Sequence, residues 1–179
     1  MPRASTLRLA AIAAPVLLFL YGVLRLIDGA DGDHGPGLAW DVGHVLFLAS
    51  FAFFAILVVA LRGEIVHLGG SRAVANAAAT AGILGVACFA WVILGDLLPS
   101  FKEAAPLPDP LQAAGPLLFQ LGLVTLLVMA VRPLRRLPIV SPVLALGGFL
   151  LLGFDLDLLP VGAALVLAGI APLALRSRR

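Results

Sequence analysis

Six long apolar stretches, carrying very little charge, constrain this chain more than any other feature in it. They cover residues 9–27, 42–61, 74–95, 111–131, 138–154 and 158–175. The hydrocarbon core of a bilayer is about 30 Å thick and takes roughly 20 apolar helical residues to cross. Each stretch meets or approaches that length. A water-soluble domain of 179 residues needs a polar shell, and a chain that is 61% hydrophobic and only 12% charged cannot supply one. The predicted fold is all-α: a polytopic membrane bundle of six transmembrane helices, forming a single integral membrane domain over residues 1–179, with the lipid bilayer as its surroundings.

Two of the six assignments need an argument. The fifth and sixth stretches are short and are separated only by Asp155, Leu156 and Asp157. Together they are far too long for one crossing, so a tight hairpin is expected. Pro160 suits a first helical turn, and Asp157 is expected to cap the sixth span. The first stretch follows Arg3 and Arg8, as a signal peptide would. Its apolar run exceeds the usual 7–15 residues or so of such a leader and no clear cleavage site follows, so it is expected to stay as an anchor.

Charge gives the expected orientation. Lys and Arg stay on the cytoplasmic side of short loops. With the N-terminus inside, Arg3, Arg8, Arg62, Arg72, Arg132, Arg135, Arg136, Arg176, Arg178 and Arg179 all fall inside, and only Arg25 and Lys102 fall outside. Glu64 is the one inner acid. Asp28, Asp31, Asp33, Asp41, Asp96, Glu103, Asp109, Asp155 and Asp157 are all outer. An odd number of spans would break this pattern. The prediction is therefore a multi-pass protein of the cell membrane with both termini in the cytoplasm. The cations are eleven Arg and one Lys, scattered without a polybasic run, which excludes the usual footprint of nucleic-acid binding. The excess of Arg and Ala over Lys and Ile points to a GC-rich, bacterial source.

The expected loops are short. Residues 28–41 are turn-rich, and residues 97–110 are Pro-rich and expected to be extended. The words Asp-Leu-Leu-Pro at 96–99 and 157–160 hint at repeated helical hairpins, though short apolar words also recur by chance. Small residues predict interior faces: Ala78, Ala81, Gly82 and Gly85 in the third span, Gly147, Gly148 and Gly153 in the fifth, and Gly162, Ala163, Ala164 and Gly169 in the sixth. Phe47, Phe51, Phe53 and Phe54 are expected to face lipid over part of the second span, with Trp40 as its outer interfacial anchor.

Polar groups inside or beside the spans are the candidates for chemistry. Asp41 and His44 are three residues apart, on one helix face, about one turn into the membrane. A carboxylate and an imidazole so placed can bind a metal, relay a proton or act as a base. The alternative is that Asp41 caps the helix and His44 bonds a neighbouring one. Asp96 and Asp155, with Asp28, stand at the outer ends of three spans and would focus negative potential there. Arg25 is expected to pair with Asp28. Gln120, mid-span, either bonds across helices or lines a path. Glu64 and His67 repeat the acid–His spacing in an inner loop. Cys88 is the only cysteine, so no intramolecular disulfide forms.

No nucleophile elbow, phosphate-binding loop, HExxH or paired CxxC occurs, and no second deep His is present to hold a haem. No cofactor or metal is assigned. Three function classes follow. A non-catalytic subunit or scaffold, packing against a membrane-protein partner or another copy, is placed ahead of any enzymatic role. A cation or small-solute transporter using Asp41, His44, Asp96, Gln120 and Asp155 comes second. A membrane-embedded enzyme acting near the outer leaflet is third.

Overall fold

The computed structural model describes residues 2–32, 34–134 and 137–175. Asp33, Arg135, Arg136, Arg176, Arg178 and Arg179, and the side chains of Arg3 and Asp31, lie outside the described residues. The described chain is mostly helical, with no strand among the described residues: α1 (Pro2–Asp28), α2 (Leu38–His67), α3 (Arg72–Leu97), a short α4 (Pro99–Ala104), α5 (Asp109–Val131), α6 (Val140–Phe154) and α7 (Leu159–Ile170). Five segments are long and apolar enough to cross a membrane: Ser5–Asp28, Leu38–His67, Arg72–Leu97, Asp109–Val131 and Leu156–Ala174, the last comprising α7 with a 3-10 turn at each end. α6 has 15 residues. At 1.5 Å per residue it reaches about 22 Å, short of a full hydrocarbon core.

The helices exceed their apolar cores at most ends. α2 runs six residues beyond Leu61, so Glu64 and His67 occupy two further helical turns, and the loop expected there shrinks to a Gly69–Gly70 corner. Gly69 has φ +85°, a conformation that favours glycine. The Pro-rich segment after α3 is not simply extended, because Pro99 opens α4. Pro160 is the second residue of α7, after Leu159. The two Asp-Leu-Leu-Pro words thus share a local role: each ends one helical segment and puts a proline in the first turn of the next, where its missing N–H costs nothing. At the second of them the cap is Asp155, not Asp157: its Oδ1 accepts from the Asp157 backbone N–H at 2.9 Å.

Three antiparallel hairpins, α1–α2, α3–α5 and α6–α7, make up the most extensive packing. α2 also packs on α3 and α5, α5 on α6, and α7 returns to α1, which closes the bundle. The antiparallel order collects Asp28, Asp41, Asp96, Asp109, Asp155 and Asp157 at one end, here the acidic end. Arg8, Arg62, Arg72 and Arg132 gather at the other, the arginine end. The two cations at the acidic end are both ion-paired: Arg25 Nε lies 3.8 Å from Asp157, and Lys102 Nζ 3.3 Å from Asp96. Arg25 therefore reaches across to the α6–α7 turn rather than along its own helix to Asp28.

The second helix corrects an expectation. Phe51 and Phe54 are fully buried, and with Phe119 and Phe149 they form the centre of the bundle. Phe119 stands 5.2 Å from Phe51, 5.3 Å from Phe54 and 5.1 Å from Phe149, ring centre to ring centre. Phe89 stacks on Phe51 at 4.1 Å. Aromatic edges meeting aromatic faces favour these offset and T-shaped pairs. Phe47 and Phe53 are only half-buried. The surface facing outward is apolar instead, with Leu9, Val59, Leu121, Val128 and Val143 each more than half exposed. Hydrocarbon solvates such a surface at no cost, and water does not.

Small residues hold the seams as expected, with some exceptions. Gly82 and Gly85 of α3 face Gly115, Phe119 and Gly122 of α5, and Gly148 faces Gly162 across the α6–α7 hairpin. Gly147 and Gly153 meet open space, and Ala164 is exposed. In the buried interior Ser50 Oγ donates to the Ala14 carbonyl at 2.8 Å, joining α1 to α2. Bonds of this kind contribute about 0.6 kcal/mol on average.

Candidate functional site

The polar groups of the acidic end centre on His44. It sits in the second turn of α2 and is 3% exposed. Gly43 beside it lets Tyr21 of α1 approach closely, since a side chain there would press on the Tyr21 ring. Tyr21 meets the imidazole edge-on at 5.4 Å, and Trp40, one turn earlier on α2, covers it at 4.0 Å. Trp40 is thus a wall of the site as well as an aromatic at a helix end.

His44 has one hydrogen bond and one charged neighbour. Its Nδ1 lies 2.9 Å from the Trp40 carbonyl. A carbonyl only accepts, so Nδ1 carries the proton. Nε2 then points to Asp96 at the end of α3, 3.9 Å from Oδ2. The other carboxylate oxygen of Asp96 takes Lys102 of α4 at 3.3 Å. Trp91 Nε1–H donates to the Ala105 carbonyl at 2.8 Å and ties the α4–α5 connection to α3, which fixes where Lys102 stands. The result is a chain, Trp40–His44–Asp96–Lys102, running from a buried ring to an exposed ammonium. The Lys102 contact orients the Asp96 carboxylate, and the Trp40 carbonyl orients the His44 ring.

Of the residues picked out from sequence, the structure brings His44 and Asp96 together and leaves the other three apart. Asp41 is exposed in the first turn of α2, whose N-cap is Gly37. Asp41 therefore neither pairs with His44 nor caps the helix, though a carboxylate suits the positive end of the helix dipole. Asp155 is exposed and spends one oxygen on its own turn. Gln120 is half-buried in the middle of α5, and among the described residues its side chain has no hydrogen bond to another helix. Asp28 is half-buried, with Oδ2 unbonded.

The cluster encloses little space. A cavity of about 10 Å³ lies between Tyr21, Arg25, Asp28, Trp40 and His44, and one of about 100 Å³ lies beyond Asp96, against Trp91, Phe101 and Lys102. The first has room for about one water. Among the described residues no group of three or more His, Cys, Asp or Glu side chains is placed to hold a metal ion. Sequence reading missed Lys102, Tyr21 and Trp40 as parts of this cluster. Two signals were available: Trp40 is one turn before His44 on α2, and Tyr21 is one turn before Arg25 on α1, so each pair shares a helix face.

Comparison with protein-family models, with curated proteins and with solved structures found no match to the chain.

Proposed function

We propose that this chain is a six-span protein of the cell membrane, with both termini in the cytoplasm, that acts as a non-catalytic subunit or scaffold. The observation that carries the reading is the solid aromatic centre. Phe54 and Phe119 have no exposure, and Phe51 and Phe149 almost none, so no solute path runs through them. The His44–Asp96 pair lies to one side, behind Tyr21 and Trp40, in a space of about one water. A rigid bundle with an apolar outer surface and short loops is suited to packing against another membrane chain or a second copy of itself.

Two experiments test this. The first takes protein extracted from its own membrane in mild detergent and measures the mass of the complex by light scattering. A complex of fixed stoichiometry, together with no cation or proton flux above empty vesicles after reconstitution, is the expected result. A monomer whose flux is abolished by His44→Ala would overturn the reading in favour of transport, which the His44–Asp96 pair alone favours.

The second reads orientation and span count. In a Cys88→Ser background, single cysteines at Gly35, Pro106 and Asp155 are expected to react with an impermeant maleimide in intact cells, and one at His67 only after permeabilisation. The opposite pattern would reverse the orientation. Labelling at 35 and 106 without 155 would make α6 a re-entrant segment and reduce the count.

A further inference from the structure

An open cavity lies at the arginine end, away from the His44 cluster. It is an open groove of about 930 Å³ along α2, floored by Ile56, Val59, Ala60 and Val66 and rimmed by Arg62 and Arg72. It extends from Ala55 to His67. Twelve residues of helix rise about 18 Å, which matches one leaflet of a bilayer whose hydrocarbon core is about 30 Å thick. A second groove of about 400 Å³ runs down α3 past Ala79, Thr80, Ile83 and Leu84, and Arg62 lines it too. Two apolar furrows therefore diverge from one guanidinium.

That guanidinium is held in place and remains uncompensated. Arg62 donates from Nε and one Nη to Asn76 Oδ1, at 2.8 and 2.5 Å, which leaves further N–H donors directed elsewhere. No carboxylate among the described residues pairs with Arg62 or Arg72. Glu64, the acid on the same turns of α2, does not line either groove. Arg72 opens α3, so the positive end of a 26-residue helix lies at the same rim.

We propose that this fork binds a diacyl anionic phospholipid, with its phosphate on Arg62 and Arg72 and one acyl chain in each groove. Charge complementarity selects the anionic headgroup, and the paired furrows select two chains over one. The inference rests on the reading of the chain as a membrane protein. It does not depend on which end faces the cytoplasm or on the presence of a partner.

The test is native mass spectrometry of the purified chain in detergent, titrated with dioleoyl phosphatidylglycerol or dioleoyl phosphatidylcholine. One phosphatidylglycerol is expected to remain bound, about twenty-five-fold more tightly than the zwitterionic lipid if each arginine contributes about fivefold. Arg72→Gln is expected to cost about fivefold with an unchanged melting temperature, because its side chain is exposed and has no side-chain partner. Arg62→Gln/Arg72→Gln should bring the two lipids level. Val59→Trp, which fills a groove and keeps both charges, should displace both. Arg132→Gln, an exposed arginine outside both grooves, should change nothing. Equal retention of the two lipids by the parent chain, an equal loss with Arg132→Gln, or equally tight binding of single-chain lysophosphatidylglycerol would each overturn the proposal. Because lipid retention in micelles reads neither sidedness nor the mass of a complex, a negative result here leaves the orientation and scaffold experiments to stand or fall separately.

Discussion

Phe119→Ala is expected to be the most destabilising truncation in the molecule, at about 3 kcal/mol. The ring is fully buried and lies within 6 Å of Phe51, Phe54, Phe89 and Phe149, so it joins α5 to α2, α3 and α6 at once. In a soluble core the same truncation costs about 3–5 kcal/mol, of which part is transfer from water and part is the cavity left behind. In a bilayer the transfer part falls away, because lipid is as apolar as the interior, and packing supplies most of what remains. The low end of that range is therefore the estimate. Thermal unfolding in a fixed detergent should show a drop on the order of 10 °C. Phe154→Ala is the control. That ring is 88% exposed at the end of α6 and should cost under about 0.5 kcal/mol. Equal losses from the two substitutions would show that the aromatic cluster is not what holds the bundle together.

The aromatic centre also marks where sequence reading stopped. Hydropathy located the six apolar segments, with helix ends that differ by up to seven residues, because an almost complete lack of charge leaves few alternatives. It could not say which side of α2 faces inward. A bilayer-spanning helix that is apolar all round has no amphipathic stripe to read. Phenylalanine suits lipid and core equally, so only the partners decide, and Phe119, Phe149 and Phe89 come from three other helices. Small residues were more informative, because glycine at a four-residue spacing has a single physical advantage, close approach. Even so, Gly82 and Gly148 are at seams while Gly147 and Gly153 are not.

The polar end shows the same division. His44 stood out as the only histidine inside a span, and Asp96 as an acid at a helix end. Their pairing depends on how α2 and α3 pack, which spacing along the chain does not encode. Spacing suggested Asp41 instead, a neighbour in sequence that turned out to be exposed. Arg25 followed the same logic: its nearest acid along α1 was Asp28, and its partner proved to be Asp157, over a hundred residues away. Local rules work where a contact is within one helix and fail where topology supplies the partner.

The α3–α5 seam is where the close approach of glycines has its largest expected consequence. A methyl group placed on Gly85 would overlap the backbone nitrogen of Phe119 and stand 2.6 Å from the Gly115 carbonyl oxygen. One placed on Gly122 would stand 2.5 Å from the Ala78 carbonyl oxygen and overlap the backbone of Gly82. These are backbone atoms, which cannot rotate away as a side chain would. Either helix must move, and a radial gap of 0.5–1 Å already forfeits roughly a quarter to a half of each dispersion contact along the seam. Gly85→Ala and Gly122→Ala are each expected to cost at least about 2 kcal/mol, toward the upper part of the range for overpacking. Gly82→Ala should cost less, because its added carbon would meet Val58 methyl groups at 3.3–3.4 Å and these can turn. Gly63→Ala, in the interior of α2 with nothing within 4 Å, should stabilise by about 0.5–1 kcal/mol through the better helix propensity of alanine. Unfolding midpoints of the four variants in one detergent check the order. The opposite signs for Gly63 and Gly85 carry the argument: both changes add one methyl group to a glycine inside a long apolar helix, so only the neighbouring backbone of α5 distinguishes them. If all four variants moved the midpoint alike, helix propensity rather than contact between α3 and α5 would govern these positions, and the seam would have to be looser than described.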